Sequence, residues 1–105
     1  MGENIGDLGG VLIAFDAYHA SLNGQPAKEI DGFTGDQRFF LGWGQVWRTL
    51  SRPEALRQQL ISDSHSPGQV RAVAPLRNID AWYQTWGIKE GDKQYIEPAA
   101  RVRIW

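Results

Sequence analysis

The stretch Asn4-Ile5-Gly6-Asp7-Leu8-Gly9-Gly10-Val11-Leu12-Ile13-Ala14-Phe15-Asp16-Ala17-Tyr18-His19-Ala20-Ser21-Leu22 decides the fold class. Leu8, Val11, Leu12, Phe15, Tyr18 and Leu22 recur at three- and four-residue steps, which puts them on one stripe of an α-helix. Asn23-Gly24 then supplies the residue types with which helices end. Gly9-Gly10 costs such a helix about 1 kcal/mol per glycine against alanine. The pair is therefore expected where another helix packs closely.

Working outward, Pro26 and Asp31-Gly32 mark a loop, and Thr34 with Gln37 reads as a capping box opening a helix to about Thr49. Its apolar face is Phe39, Phe40, Trp43, Val46, Trp47 and Leu50. Ser51 with Glu54 reads as a second capping box, with Pro53 in the first turn, ahead of a helix that carries Leu56, Leu60 and Ile61 and stops near Asp63. Ser66-Pro67-Gly68 is a turn, and the alternation over residues 70–75 predicts a short extended stretch. Asn78 is the expected cap of a fourth helix holding Ile79, Trp82, Tyr83 and Trp86 and closed by Gly87. The remainder is irregular, with Glu90-Gly91-Asp92 as a turn. No internal repeat interrupts this plan.

With 105 residues, the chain is one domain or a piece of one. A net charge of -1 with scattered Lys and Arg excludes the electrostatic footprint of a nucleic-acid or anionic-membrane binder. No apolar run is long enough for a membrane span, and no signal peptide is visible. The absence of cysteine removes disulfides and thiolate zinc sites.

Two segments carry reactive side chains. Glu3 and Asp7 project from one helix face. Asp63-Ser64-His65-Ser66-Pro67-Gly68-Gln69-Val70-Arg71 brings a carboxylate, an imidazole and a guanidinium into one bent segment. A catalytic zinc needs about three protein ligands and an open position, and two of them commonly come from a His-Glu-x-x-His helix. That motif is absent, because the two histidines are His19 and His65. On a continuous helix His19 lies roughly 24 Å along the axis from Glu3 and cannot share a metal with it. Plainer readings stay open for each residue. Glu3 and Asp7 suit the helix dipole, His65 suits a surface loop, and Arg71 suits an ion pair, with Asp63 for example. Val46 and Trp47 suit a core by spacing, as do Trp43, Trp82 and Trp86, while Arg77 and Arg101 read as surface residues.

Taken together, Gly2-Glu3-Asn4-Ile5-Gly6-Asp7-Leu8-Gly9-Gly10, Phe39-Phe40-Leu41 with Gln45-Val46-Trp47, Arg52-Pro53-Glu54, Asp63-Ser64-His65-Ser66-Pro67-Gly68 with Arg71, and Arg103-Ile104-Trp105 resemble the neprilysin-like (M13) zinc endopeptidases. The resemblance runs through nearly the whole chain, as the C-terminal part of that family's catalytic domain. It implies a mainly α, four-helix segment of a zincin-type domain over residues 1–105, with little or no sheet. It implies Zn2+ in the complete enzyme, with Glu3 as third ligand and Asp7 hydrogen-bonding a ligand histidine. His65, partnered by Asp63, is implied to stabilise the transition state. Arg71 is implied to grip the substrate backbone past the cleaved bond, and Val46 and Trp47 to line the adjoining apolar pocket.

The family chain runs on upstream of Gly-Glu-Asn, so Met1 is expected to mark a truncated start. The 105 residues alone are expected to bind no zinc and to cleave nothing. Their expected partners are a peptide substrate and the upstream half of the same domain, with self-association through the exposed aromatic face. Mammalian members carry cysteines near Arg48 and Val102, so a bacterial branch is expected, with a periplasmic or extracellular parent enzyme and a cytoplasmic one as alternative. The rival class is a non-catalytic helical module that binds a peptide or protein.

Overall fold

The computed structural model describes residues 2–104; Met1, with its expected truncated start, and Trp105 of the Arg103-Ile104-Trp105 ending lie outside the described residues. The long apolar stripe forms α1 (Gly2–Ser21), and the Thr34 capping box opens α2 (Gly35–Val46) with both of its reciprocal hydrogen bonds present. Then follow α3 (Pro53–Ser62), α4 (Gly68–Val73), a 3-10 turn at Leu76–Asn78, α5 (Asp80–Trp86) and a second 3-10 turn at Pro98–Ala100. The architecture is mainly helical, with no strand among the described residues beyond one isolated bridge between Ile30 and Phe33. No described helix is long and apolar enough to cross a membrane.

The core is assembled from Leu8 and Val11 of α1, Phe40 of α2, Leu76 and Ile79 ahead of α5, and Trp82 and Tyr83 within it. Aromatic packing sets the α1–α2 contact. Phe15 stacks on Phe40 with ring centroids 5.3 Å apart and meets Phe39 edge-on at 5.1 Å, separations typical of favourable aromatic pairs. Gly35 is obligatory there, since a Cβ would fall on the Tyr18 hydroxyl and the Ala27 methyl.

Several sequence expectations are corrected. Residues 70–75 are not extended: α4 covers Gly68–Val73, because the Pro67 carbonyl accepts from the N–H groups of both Val70 and Arg71 (2.9 and 3.0 Å) and starts a helix. The Ser51–Glu54 box does not form, because Pro53 at the first helical position makes Arg52 the N-cap. Asn78 is not the cap of α5; its amide reaches the Ala74 carbonyl and accepts from Val102 N–H (2.8 Å), tying the tail down. Helix α2 ends at Val46 rather than near Thr49, leaving Val46 67% exposed and Leu50 fully exposed instead of in the core. Of the Gly9-Gly10 pair, Gly9 is buried, whereas Gly10 has nothing within 4 Å of a would-be Cβ, so no described helix packs on it. Trp86 is likewise exposed rather than core, and α3 buries none of its residues. Other expected ends hold: Asn23 and Gly24 leave α1 with positive φ, and Gly87 closes α5 at φ 63°.

Candidate active site

The first turns of α1 carry Glu3 and Asp7, and the Asp63–Pro67 loop with α4 comes up against them. Asp63 shapes this loop by accepting from the backbone N–H of His65 at 2.9 Å and meeting its ring Nδ1 at 2.6 Å, a local turn typical of aspartate. The backbone N–H of His65 first, and then its ring, hold the Asp63 carboxyl below its ordinary range. With Nδ1 on Asp63, Nε2 faces Glu3 Oε2 at 3.5 Å.

Arg71 closes the cluster. Its Nε and Nη2 donate to the two oxygens of Asp7 at 2.7 Å each, the two-pronged arrangement that only a planar guanidinium provides. Its Nη2 also stands 3.8 Å from Glu3 Oε2. The guanidinium lies 4.0 Å above the Trp47 ring, a cation–π contact. The Trp43 indole N–H donates to the Arg71 carbonyl at 3.2 Å. The side chain of Arg71 is 14% exposed and that of Asp7 9%. The hydrogen bonds that Arg71 donates to Asp7 raise its already high pKa.

Of the residues expected from sequence, Glu3, Asp7, Asp63, His65, Arg71 and Trp47 come together in this one place. Val46 does not join them and is largely solvated. Asp63 does not pair with Arg71 in place of Asp7. Two further residues went unnoticed in the sequence. Ser66 Oγ donates to Asn4 Oδ1 at 3.1 Å, across 62 positions of chain. Each stands next to a motif residue, but nothing in linear spacing couples them. His19 is spent elsewhere, 2.8 Å from Asp36.

A catalytic zinc ion needs about three protein ligands. Among the described residues no three His, Cys, Asp or Glu side chains form a metal-binding group. Glu3 is half exposed and, among the described residues, is reached by no side-chain donor closer than 3.5 Å. Asp7 and the His65 Nδ1 edge are committed to Arg71 and Asp63. The donor set fits one corner of a zinc site, and the other protein ligands would come from outside this chain.

Residues 1–102 match the profile of Peptidase family M13. The chain belongs to that family. Among M13 relatives, it is 34% identical to the neutral endopeptidase of Lactococcus lactis subsp. lactis over 103 residues, which cover 98% of this chain and 15% of that protein. It is 33% identical over 108 residues to endothelin-converting enzyme 1 of Cavia porcellus, covering all of this chain and 14% of that one. The zinc metalloprotease ZMP1 of Mycobacterium tuberculosis superposes with a TM-score of 0.95 at 53% identity, both in its open state and in complex with an inhibitor, over 99% of this chain and 16% of that chain. This M13 chain thus spans about one-seventh of the length of the curated relatives it matches.

Proposed function

We propose that these residues are the C-terminal part of the catalytic domain of a zinc-dependent endopeptidase, in which Glu3 supplies the third metal ligand. The observation that carries this reading is the convergence on one carboxylate oxygen, Glu3 Oε2, of His65 Nε2 at 3.5 Å and Arg71 Nη2 at 3.8 Å. Membership of a peptidase family and the zinc metalloproteases among its relatives support it.

Zn2+, when bound, supplies Lewis-acid polarisation of the peptide carbonyl and lowers the pKa of the attacking water. The work left to this chain is binding and charge stabilisation. Peptide hydrolysis develops negative charge on the former carbonyl oxygen, and a fixed donor there is worth about 3–4 kcal/mol. His65 is that donor. Because its Nδ1 is held on Asp63, donation through Nε2 requires the doubly protonated ring. Arg71 has five N–H donors; Asp7 takes two of them. The remainder, which make no hydrogen bond among the described residues, would hold a backbone carbonyl of the substrate past the cleaved bond. Asp7 fixes the guanidinium from behind, and its free lone pairs serve a ligand histidine from the upstream half of the domain. Trp47 forms the apolar surroundings of the side chain that follows the cleaved bond.

The test uses the full-length enzyme. Glu3→Gln is expected to lose stoichiometric zinc, and His65→Ala to keep zinc but lose turnover. Normal metal content in the first, or normal turnover in the second, would overturn the assignment. The 105 residues alone are expected to show neither zinc stoichiometry nor peptidase activity.

A further inference from the structure

Helix α4, which carries Arg71, ends on a gap in its own hydrogen-bond ladder. It is six residues long, has no side-chain cap at its start and buries none of its residues, so tertiary ties rather than its own turns must hold it. Ala74 and Pro75 both keep α-helical dihedrals. A helix running through them would close a bond from the N–H of residue 75 to the Arg71 carbonyl. Proline has no N–H, and its ring crowds the carbonyl four residues back. The Ala74 N–H is already spent on the Val70 carbonyl at 2.8 Å. The Arg71 carbonyl is thus one of the orphan acceptors of a helix end. The indole N–H of Trp43, on α2, supplies the missing donor at 3.2 Å, across 28 positions of chain.

We propose that Trp43 is a positioning residue for peptide cleavage: it supplies the donor that Pro75 lacks and so fixes the backbone from which Arg71 reaches the substrate carbonyl. The proposal rests on the peptidase reading above and adds a residue to which that reading gives no part.

Three contacts act on Arg71, and they act on different parts of it. Asp7 holds the edge of the guanidinium and Trp47 its face. Neither touches the main chain, and an arginine side chain turns about several bonds. A shift of its Cα would have to be absorbed at the head, where the contacts to Asp7 and to substrate are made. Trp43 removes that slack at the root of the side chain. Misplacement of a clamp is costly, since about 1 Å can cost about 100-fold in rate.

Core packing alone does not account for the contact. Trp47 lies four residues further on, its ring centroid 5.5 Å from that of Trp43. Its indole nitrogen is also buried, yet has no partner among the described residues. Burial beside α4 therefore does not by itself bring an indole N–H an acceptor. Trp47 gives the site a ring face, and Trp43 gives it an N–H.

The experiment uses the full-length enzyme and two internally quenched peptides. One has an ordinary amide after the residue that follows the cleaved bond; the other has a trans-alkene there, which removes the carbonyl assigned to Arg71. The wild type is expected to prefer the amide by about 10- to 100-fold in kcat/KM, the worth of a hydrogen bond to a charged group. Trp43→Phe keeps an aromatic ring and loses the N–H, and is expected to lower that preference by about three- to tenfold, the worth of one neutral hydrogen bond. Pro75→Ala places an N–H where the backbone is already helical, so combining it with Trp43→Phe is expected to recover the preference. Should Trp43→Phe not fold, Trp43→benzothienylalanine, with sulfur in place of the N–H, takes its place in both comparisons. A lower Tm with the preference intact would mark Trp43 as structural only and overturn the proposal. So would a double variant no better than Trp43→Phe. A wild type that treats both peptides alike sinks the clamp assigned to Arg71 and this role with it. A preference lost in Arg71→Lys but intact in Trp43→Phe sinks the role of Trp43 alone.

Discussion

Two arginines in this molecule have the same immediate surroundings and opposite consequences. Arg71 sits 4.0 Å over Trp47 and is held by Asp7; Arg101 sits 3.6 Å over Tyr83 and is held by Asp80 at 2.7 Å. Arg101 also donates to the Ile96 carbonyl, is 7% exposed, and faces the inside of the tail it fastens. Arg71 instead borders a cavity and stands beside Glu3. A guanidinium on an aromatic ring is therefore not by itself a sign of function. The sign is what the paired guanidinium borders, a cavity and a second carboxylate for Arg71 and the packed tail for Arg101.

Replacing each arginine by lysine breaks the comparison most directly, because lysine keeps the charge and loses the planar fork. Arg71→Lys in the full-length enzyme is expected to lower kcat/KM by 10- to 100-fold, since hydrogen bonds to charged groups are worth about 1.5–3 kcal/mol. Arg101→Lys is expected to lower stability by about 1–2 kcal/mol, much of it the lost stacking on Tyr83. Its kcat/KM per folded molecule stays near that of the parent. Steady-state kinetics beside thermal melts check both. An Arg101 variant that loses turnover at full stability would erase the distinction.

Next in size is Gly35→Ala. The added methyl collides with Tyr18 and Ala27 at the start of α2, and overpacking of this kind costs about 1–3 kcal/mol. Denaturant unfolding should register the loss with the active-site geometry unaltered. Smaller still is Ser66→Ala, which removes the neutral hydrogen bond to Asn4, a contribution of about 0.5–1.5 kcal/mol. The Pro-Gly loop then loses one of its ties to α1, so kcat should fall more than KM rises, with Ser66→Thr restoring it.

The same contrast explains how far the sequence could be read. The α1 stripe, the Thr34–Gln37 box and the stops at Asn23-Gly24 and Gly87 are local, so residue type and spacing determine them. The motif residues were legible as motifs for the same reason. What stayed hidden depends on partners distant in sequence. Helix α4 follows from carbonyl geometry at Pro67 and from the anchoring of Arg71 by Asp7 and Trp43, which short alternation over residues 70–75 does not reveal. Arg101 read as a surface residue because nothing local announces that Asp80, Tyr83 and the Ile96 carbonyl will surround it. Val46 and Leu50 read as core because apolar periodicity continues past the point where the helix ends. An apolar stripe tells which side chains prefer burial, not whether this chain contains the surface that would bury them.

Acid provides the smallest and most local comparison. Asp80 and Asp63 both have carboxyls held below the ordinary value of 3.8, Asp80 by Arg103 first and then Arg101, Asp63 by the backbone N–H of His65. A carboxyl with a lowered folded-state pKa contributes stability that is complete above its unfolded value and disappears as pH falls through the folded one. Both contributions are therefore fully present at neutral pH, and their loss is confined to the interval below 3.8. The consequences should nonetheless differ in place. Protonating Asp80 releases Arg101 and Arg103, so amide hydrogen exchange should accelerate along the tail from residue 96 onward. Protonating Asp63 frees the His65 ring, which should appear as a change in its imidazole NMR shifts while the exchange rates of α1 and α5 stay as they were. Simultaneous melting of both regions in that interval would mean that the two arginine clusters are one cooperative unit, and the division between a fastening and a working guanidinium would have to be given up.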